Sequence, residues 1–378
     1  MKKLTKEEIE EELAFEKECG VNTLLQDITS SEWEGKKIEV IRNKDRHCSV
    51  RENKMKILIC TSEYPPTTGG FANVAANLNS YWIDKGHVVE VIKPHNTLKN
   101  GGQILRFWKQ AALYINIHHN DFDVIWCQNP LFQEEFEKKV MDKIFCTTHT
   151  TYNGRWEFMP EAIFPKEILK NCYYYLMNKK EKKCFKNMKK LRFITTTEKT
   201  AQELKDLGIN KSIIIPNGID IDKYKMKGQK NKHQFCAVSR LVPWKNVGEV
   251  VDTFNNTSYK LKIAGDGAEM KKLKQRAGKN IKFLGKIPQE KVIELYQESE
   301  YFISASKYEG MPLALIEAMA CGCKPVVSQI PGHKEVCDAF SKKYGDTYTA
   351  KDASEFTRKN YDWSKIADRY LEVFKNEK

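Results

Sequence analysis

The 378-residue chain has no run of about eighteen apolar residues, so no membrane-spanning helix is expected. Its opening Met1-Lys2-Lys3-Leu4-Thr5-Lys6-Glu7-Glu8 lacks the apolar stretch of a secretory signal, and a cytoplasmic location is the expectation. The eleven cysteines are scattered. Cys321 and Cys323 are the closest pair, and neither a CxxC nor a Cys/His array with zinc spacing occurs. Reduced, mostly buried thiols and no metal site are expected. Acidic residues are in deficit, 50 against 63 Lys and Arg, for a net charge of +13. Such a balance invites a polyanion reading, but the surplus is local. Ten Lys or Arg lie between Lys166 and Arg192, against only Glu167 and Glu181. Leu169, Cys172, Tyr173, Leu176, Cys184, Phe185, Met188 and Leu191 recur there at near-helical spacing, which predicts one or two basic amphipathic helices. A lysine face in solvent, or docking on an anionic membrane surface, fits that pattern better than nucleic acid does.

What is present is an alternation of strand-like and helix-like segments. Residues 1–54 stand apart as an extension, with a charged helical pattern over Lys3 to Cys19 and a short strand near Lys37 to Arg42. From Met55 the strand-like runs are 56–61, 88–93, 123–127, 143–147, 192–196 and 212–215, with helical runs between them. A second cycle has strands at 234–239, 259–264, 281–284, 301–304 and 325–328, and helices near 245–256, 267–278, 288–298, 311–321 and 332–338. A final helix runs from Trp363. This alternation implies two doubly wound α/β domains with parallel sheets, whose ligands sit at the carboxyl ends of the strands. The expected division is an extension 1–54, a first domain 55–217, a linker 218–232, a second domain 233–357 and a closing segment 358–378.

The most informative stretch runs from Glu309 to Gly322. One carboxylate, Glu309, stands in a loop, and a second, Glu317, lies eight residues on, within a helix. Gly310, Met311, Pro312 and Leu313 open that helix, with Pro312 expected in its first turn and Gly322 at its stop. Backbone N–H groups at a helix start favour an anion, while carboxylates favour hydroxyls. A phosphate flanked by sugar or ribose hydroxyls satisfies both. Arg240 and Lys245 follow a strand and could clamp a diphosphate. Gly69-Gly70 follow the first strand and let the backbone approach a ligand.

Glu309 to Glu317 resembles the E-x7-E motif of retaining GT-B glycosyltransferases of family 4, which transfer sugars from nucleotide donors. Tyr64-Pro65-Pro66-Thr67-Thr68-Gly69-Gly70, Pro216-Asn217-Gly218-Ile219-Asp220 and Arg240-Leu241-Val242-Pro243-Trp244-Lys245 agree with that family in order and separation. The resemblance covers roughly Met55 to the C-terminus. It implies a GT-B fold, two Rossmann-like domains facing across a cleft, with the last helix returning toward the first domain. It implies a metal-independent transfer from a UDP- or GDP-linked sugar to a glycan or lipid-linked acceptor. In that reading Arg240 and Lys245 stabilise the leaving diphosphate, and Glu309 and His149 hold the sugar. Glu317 takes the ribose hydroxyls. Gly70, Gly265, Asp266, Lys286, Ile287 and the Gly310–Leu313 turn complete the donor site. Histidine at the end of strand 143–147 can donate to a sugar hydroxyl or share a proton near neutral pH. Asp266 is expected either beside the nucleotide or as a helix cap. Gly69 and the loop Tyr152-Asn153-Gly154-Arg155-Trp156 are the acceptor-side candidates, whose aromatics suit sugar stacking. His118 and His119 are expected at the surface. Pro331-Gly332-His333 departs from the family's double glycine. An epimerase or hydrolase on the same architecture, or a non-catalytic nucleotide-sugar or membrane-surface binder, are the alternatives.

Overall fold

The computed structural model describes residues 38–42, 54–65, 70–98, 100–156, 165–345 and 347–377. The helical pattern of Lys3 to Cys19 and the glycine Gly69 lie outside the described residues. Two sheets with intervening helices make an α/β fold. The first has seven strands in the order β1-β3-β2-β4-β5-β6-β7, and the second has five in the order β10-β9-β8-β11-β12. By compactness the chain forms two units, one of residues 1–146 and 161–192, the other of 147–160 and 193–378.

The first unit contains β1 (Ile38–Arg42), β2 (Lys56–Thr61), β3 (Val88–Pro94), β4 (Val124–Gln128) and most of β5 (Ile144–Thr148). Its helices are α1 (Gly70–Asp84), α2 (Gly101–His118), α3 (Lys138–Met141) and, after α4 (Tyr152–Trp156) of the other unit, α5 (Pro165–Met188). β2 pairs in parallel with β3 on one side and β4 on the other. The expected short strand in the extension is β1, and it adds antiparallel to the β3 edge. Five consecutive residues of β2 are buried, as a strand covered on both faces requires. Trp82 and Trp126 meet edge to face at 5.8 Å in this core. The basic stretch forms one helix, α5, within the one or two expected. Met177, Asn178, Glu181, Cys184, Phe185 and Met188 are buried along one stripe, while Lys179, Lys182, Lys183 and Lys186 are exposed. His119 is a correction: it is buried, with Nδ1 3.0 Å from the Asn116 carbonyl, because the short 3-10 turn after α2 folds it inward.

The second unit carries β6 (Arg192–Thr195, from Phe193), β7 (Ile213–Ile214), β8 (Asn231–Val238), β9 (Lys260–Ala264), β10 (Ile281–Gly285), β11 (Ser299–Ser304) and β12 (Lys324–Val327). Its helices are α4, α6 (Glu198–Asp206), α7 (Val247–Asn255), α8 (Met270–Arg276), α9 (Gln289–Glu298), α10 (Leu313–Ala320), α11 (Pro331–Tyr344), α12 (Ala350–Asn360) and α13 (Trp363–Asn376). Every pairing in the five-stranded sheet is parallel. Strand order reverses between β8 and β11, and such a switch opens a crevice at the carboxyl ends of those strands. The loops that leave β8 and β11 there carry Lys245 and Glu309. Among the described residues no helix is long and apolar enough to cross a membrane.

Candidate active site

After β8 the chain makes a 3-10 turn, Pro243–Lys245, and Asn246 takes a left-handed conformation (φ 51°) that redirects it into α7. Lys307 N donates to the Trp244 carbonyl at 2.8 Å, tying this turn to the loop after β11. Lys245 Nζ thereby reaches Glu309 Oε1 at 2.5 Å, and Ser306 Oγ donates to the same oxygen at 2.9 Å. Both charged side chains are largely buried, 16% and 14% exposed, so each depends on the other for compensation. Behind them Ser328 Oγ donates to the Ser306 carbonyl at 2.6 Å and lies 3.0 Å from His333 Nδ1. Burial pushes the His333 imidazole down, with the Glu309 carboxylate opposing it. The Pro331-Gly332-His333 departure thus places a buried imidazole beneath the Glu309 loop.

Gly310 packs directly on the segment that follows β5. A Cβ there would stand 2.3 Å from the His149 carbonyl oxygen, so no larger residue fits without moving that backbone. His149 itself is buried, and burial pushes its imidazole down to about 3. It is the neutral ring. Hydrogen bonding to a hydroxyl suits it, whereas the expected proton sharing near neutral pH does not, because solvent is excluded from the charged form.

Pro312 is not in the first helical turn, as expected, but is the residue before α10. Leu313 N spends its hydrogen bond on the Met311 carbonyl. Among the described residues that leaves the N–H groups of Gly310, Met311 and Ala314 as donors at this end. Met311 Sδ meanwhile accepts from Asn217 N at 2.9 Å. Glu317 is one turn inside α10 and half-buried. Tyr296 Oη donates to its Oε2 at 3.4 Å, and the Tyr224 hydroxyl, itself bonded by Gln289, also donates to it. Burial wins over these two bonds and pushes the carboxyl up to about 7.

Arg240 is exposed at the start of the loop after β8, its guanidinium 5.7 Å from the centre of the Trp244 ring. Gly265 adopts φ 131°, and a Cβ there would stand 1.8 Å from the Ser239 carbonyl, so the β9 loop lies against the β8 loop. Gly265 N bonds the Gly285 carbonyl at 2.8 Å, which brings the loop of exposed Lys286 and part-buried Ile287 alongside. Asp266 is not a helix cap. Its Oδ1 accepts from Gly267 N at 2.7 Å, and α8 starts only at Met270. The expected loop at Tyr152–Trp156 is the short helix α4, in which Arg155 Nη2 donates to Thr150 Oγ1. Gly70 belongs to the other unit, as the exposed first residue of α1. There Gln128, at the end of β4, donates to the Phe71 carbonyl and accepts from Thr61, anchoring that helix start beside β2.

The structure therefore gathers Lys245, Glu309, Gly310 and His149, with Glu317 beyond them in α10. Sequence reasoning missed Ser306, Tyr224, Tyr296, Ser328 and His333. Among the described residues no group of three or more His, Cys, Asp or Glu is arranged to hold a metal ion.

The parallel sheets and the loops at the β8/β11 switch define a GT-B architecture. Two family models match adjoining parts of the chain, Glycosyltransferase Family 4 over residues 68–223 and Glycosyl transferases group 1 over residues 219–378. The chain belongs to the GT-B glycosyltransferases. An uncharacterized glycosyltransferase of Methanocaldococcus jannaschii is 24% identical, over 71% of this chain and 78% of that protein. The amylovoran biosynthesis glycosyltransferase AmsD of Erwinia amylovora is 31% identical over 37% of this chain and 45% of its own length. Among solved structures, sucrose-phosphate synthase from Thermosynechococcus elongatus has a TM-score of 0.65 at 14% identity, covering 85% of this chain and 98% of that one. Anabaena HepE, solved with UDP, has a TM-score of 0.57 at 16% identity, covering 85% and 100%. At these identities the solved structures speak for the fold.

Proposed function

We propose that the protein is a retaining glycosyltransferase that moves a sugar from a nucleoside-diphosphate donor to a glycan or lipid-linked acceptor without a metal ion. The observation that carries this reading is the Lys245–Glu309 pair at the carboxyl ends of β8 and β11, packed through Gly310 on His149. Lys245, with Arg240, neutralises the charge that grows on the leaving diphosphate, and the N–H groups of Gly310 and Met311 add to it. Both contacts to Glu309 fall on Oε1, so Oε2 faces the task of holding a sugar hydroxyl. Neutral His149 holds another, and Glu317 accepts from the ribose. The Tyr152–Trp156 segment serves the acceptor side. Glu309 is committed to Lys245 and Ser306, and Glu317 to two tyrosines. That supports a reaction on one face of the sugar, in which the leaving phosphate takes the acceptor's proton. The Asp220-Ile221-Asp222 segment does not read as a metal motif. Asp220 Oδ1 accepts from the backbone N of Asp222 and Lys223, so its carboxylate closes a turn. Anabaena HepE, of the same fold, is solved with UDP and with UDP-glucose, which supports a nucleotide-sugar donor here.

The test is incubation with UDP- and GDP-sugars, with and without glycan and lipid-linked acceptors, in EDTA, with the product anomer read by NMR. The expected product keeps the donor's configuration. An inverted product, or turnover that needs a divalent ion, would overturn the mechanism. Turnover with no acceptor would point to an epimerase or hydrolase.

The exposed lysines of α5 extend the proposal to a protein that works at the cytoplasmic face of an anionic membrane, each well-placed lysine worth about 1 kcal/mol. Sedimentation with anionic vesicles at low salt, lost at high salt, is expected. Protein left in the supernatant at low salt would remove this part.

A further inference from the structure

Glu203, on α6, is a buried carboxylate that the proposed chemistry does not use. Its side chain is 3% exposed. Thr151 Oγ1 donates to Oε2 at 2.7 Å, and the Tyr308 hydroxyl lies 3.3 Å from both oxygens. Lys199 Nζ, one helical turn back, is 3.7 Å from Oε1. Thr151 Oγ1 in turn accepts from Gly154 N at 2.8 Å, and the carboxylate fills the space that a Cβ on Gly154 would need. From the same helix, Thr200 Oγ1 donates to the His149 carbonyl at 3.4 Å. Thr151 is two residues past His149, and Tyr308 directly precedes Glu309. One buried acceptor therefore fastens both segments that the proposed site draws on for the sugar. Burial raises the Glu203 carboxyl, while the Thr151 bond, Lys199 and the Tyr308 bond oppose that.

We propose that Glu203 is a positioning residue that sets His149 against Glu309 by holding Thr151 and Tyr308 together. The proposal rests on the sugar-transfer reading for its consequence, though not for its geometry. The diphosphate groups, Lys245 and Arg240, stand on a different loop, so the two halves of donor binding should respond differently. Displacing a positioning group by about 1 Å costs on the order of a hundredfold in rate.

The experiment compares wild type with Tyr308→Phe and Glu203→Gln, the second keeping the shape and one acceptor oxygen. Donor turnover, UDP affinity and backbone hydrogen exchange of residues 147–154 and 305–310 are measured. Expected are a fall in kcat of roughly ten- to a hundredfold with UDP affinity held within about twofold, and faster exchange in both segments, even though Tyr308→Phe touches only one. Parallel loss of kcat and UDP affinity, or an unchanged kcat, would overturn the positioning role. If wild type turns over no nucleotide-sugar, the transfer reading itself fails. Exchange then decides alone: acceleration in both segments upholds the coupling by Glu203, and acceleration confined to 305–310 refutes it.

Discussion

Glu309 and Glu317 sit eight residues apart and are held in opposite ways. Glu309 meets a cation, and the Lys245 ammonium with the Ser306 hydroxyl converges on one oxygen. Glu317 meets no cation among the described residues that contact it. Two neutral tyrosine hydroxyls are its partners, and burial pushes its carboxyl up to about 7. The physical difference is the sign of what surrounds each group. An ion pair fixes charge before ligand arrives, whereas hydroxyl donors leave the charge to be decided by solvent and ligand. In the proposed reading the side of the site assigned to the diphosphate is thus electrostatically preset, and the side assigned to the ribose is titratable.

Removing the preset half should have the largest effect. Lys245→Ala deletes the charge proposed to face the leaving diphosphate and leaves Glu309 without its counter-ion. Turnover is expected to fall about a hundredfold or more, the usual size for a lost charge-stabilising group. Steady-state kinetics with saturating donor checks it. Turnover within threefold of wild type would mean that the Lys245–Glu309 pair is only structural.

Much of the fold was legible from periodicity. Each expected strand from 56–61 to 325–328 is present, with ends shifted by a few residues, because buried parallel strands and amphipathic helices carry their pattern locally. The antiparallel register of β1 on β3 was not legible, since it depends on which edge is open. Nor was helix α12, whose Ala350-Lys351-Asp352 opening is a capping box with Thr349 amid a polar sequence. At the site, Lys245 and Glu309 were recognisable by motif, but their pairing spans 64 residues. Glu203 and Tyr308 are 105 apart. The tyrosines beside Glu317 carry no local signal either. Their sequence surroundings read as ordinary helix and linker, and only tertiary packing turns their hydroxyls toward a carboxylate. His149 shows the complementary case: its place after a strand was readable, but its neutrality comes from burial that the sequence does not reveal.

The titratable half gives a smaller effect with a defined sign. An ionised carboxylate accepts more strongly from hydroxyls than the neutral acid does, so in the proposed ribose role donor binding favours the charged form of Glu317. Affinity should be full by about pH 8 and fall as pH drops through about 7, by up to about tenfold between pH 8 and pH 6 by proton linkage. A nucleotide-sugar is the right probe, because free UDP carries a terminal phosphate that itself titrates near pH 6. Glu317→Gln should flatten the profile, and a slope that persists in this variant would assign the proton elsewhere. Tyr296→Phe sharpens the point with the least disturbance. It removes one of the two hydroxyl donors that hold the carboxyl down, so the midpoint should rise by under one pH unit, the size of a single net hydrogen bond of about 1 kcal/mol. At pH 7 donor affinity should then weaken by roughly threefold, while at pH 8.5 it should match wild type. A weakening of equal size at both pH values would show that Tyr296 serves the shape of the pocket rather than the charge of Glu317.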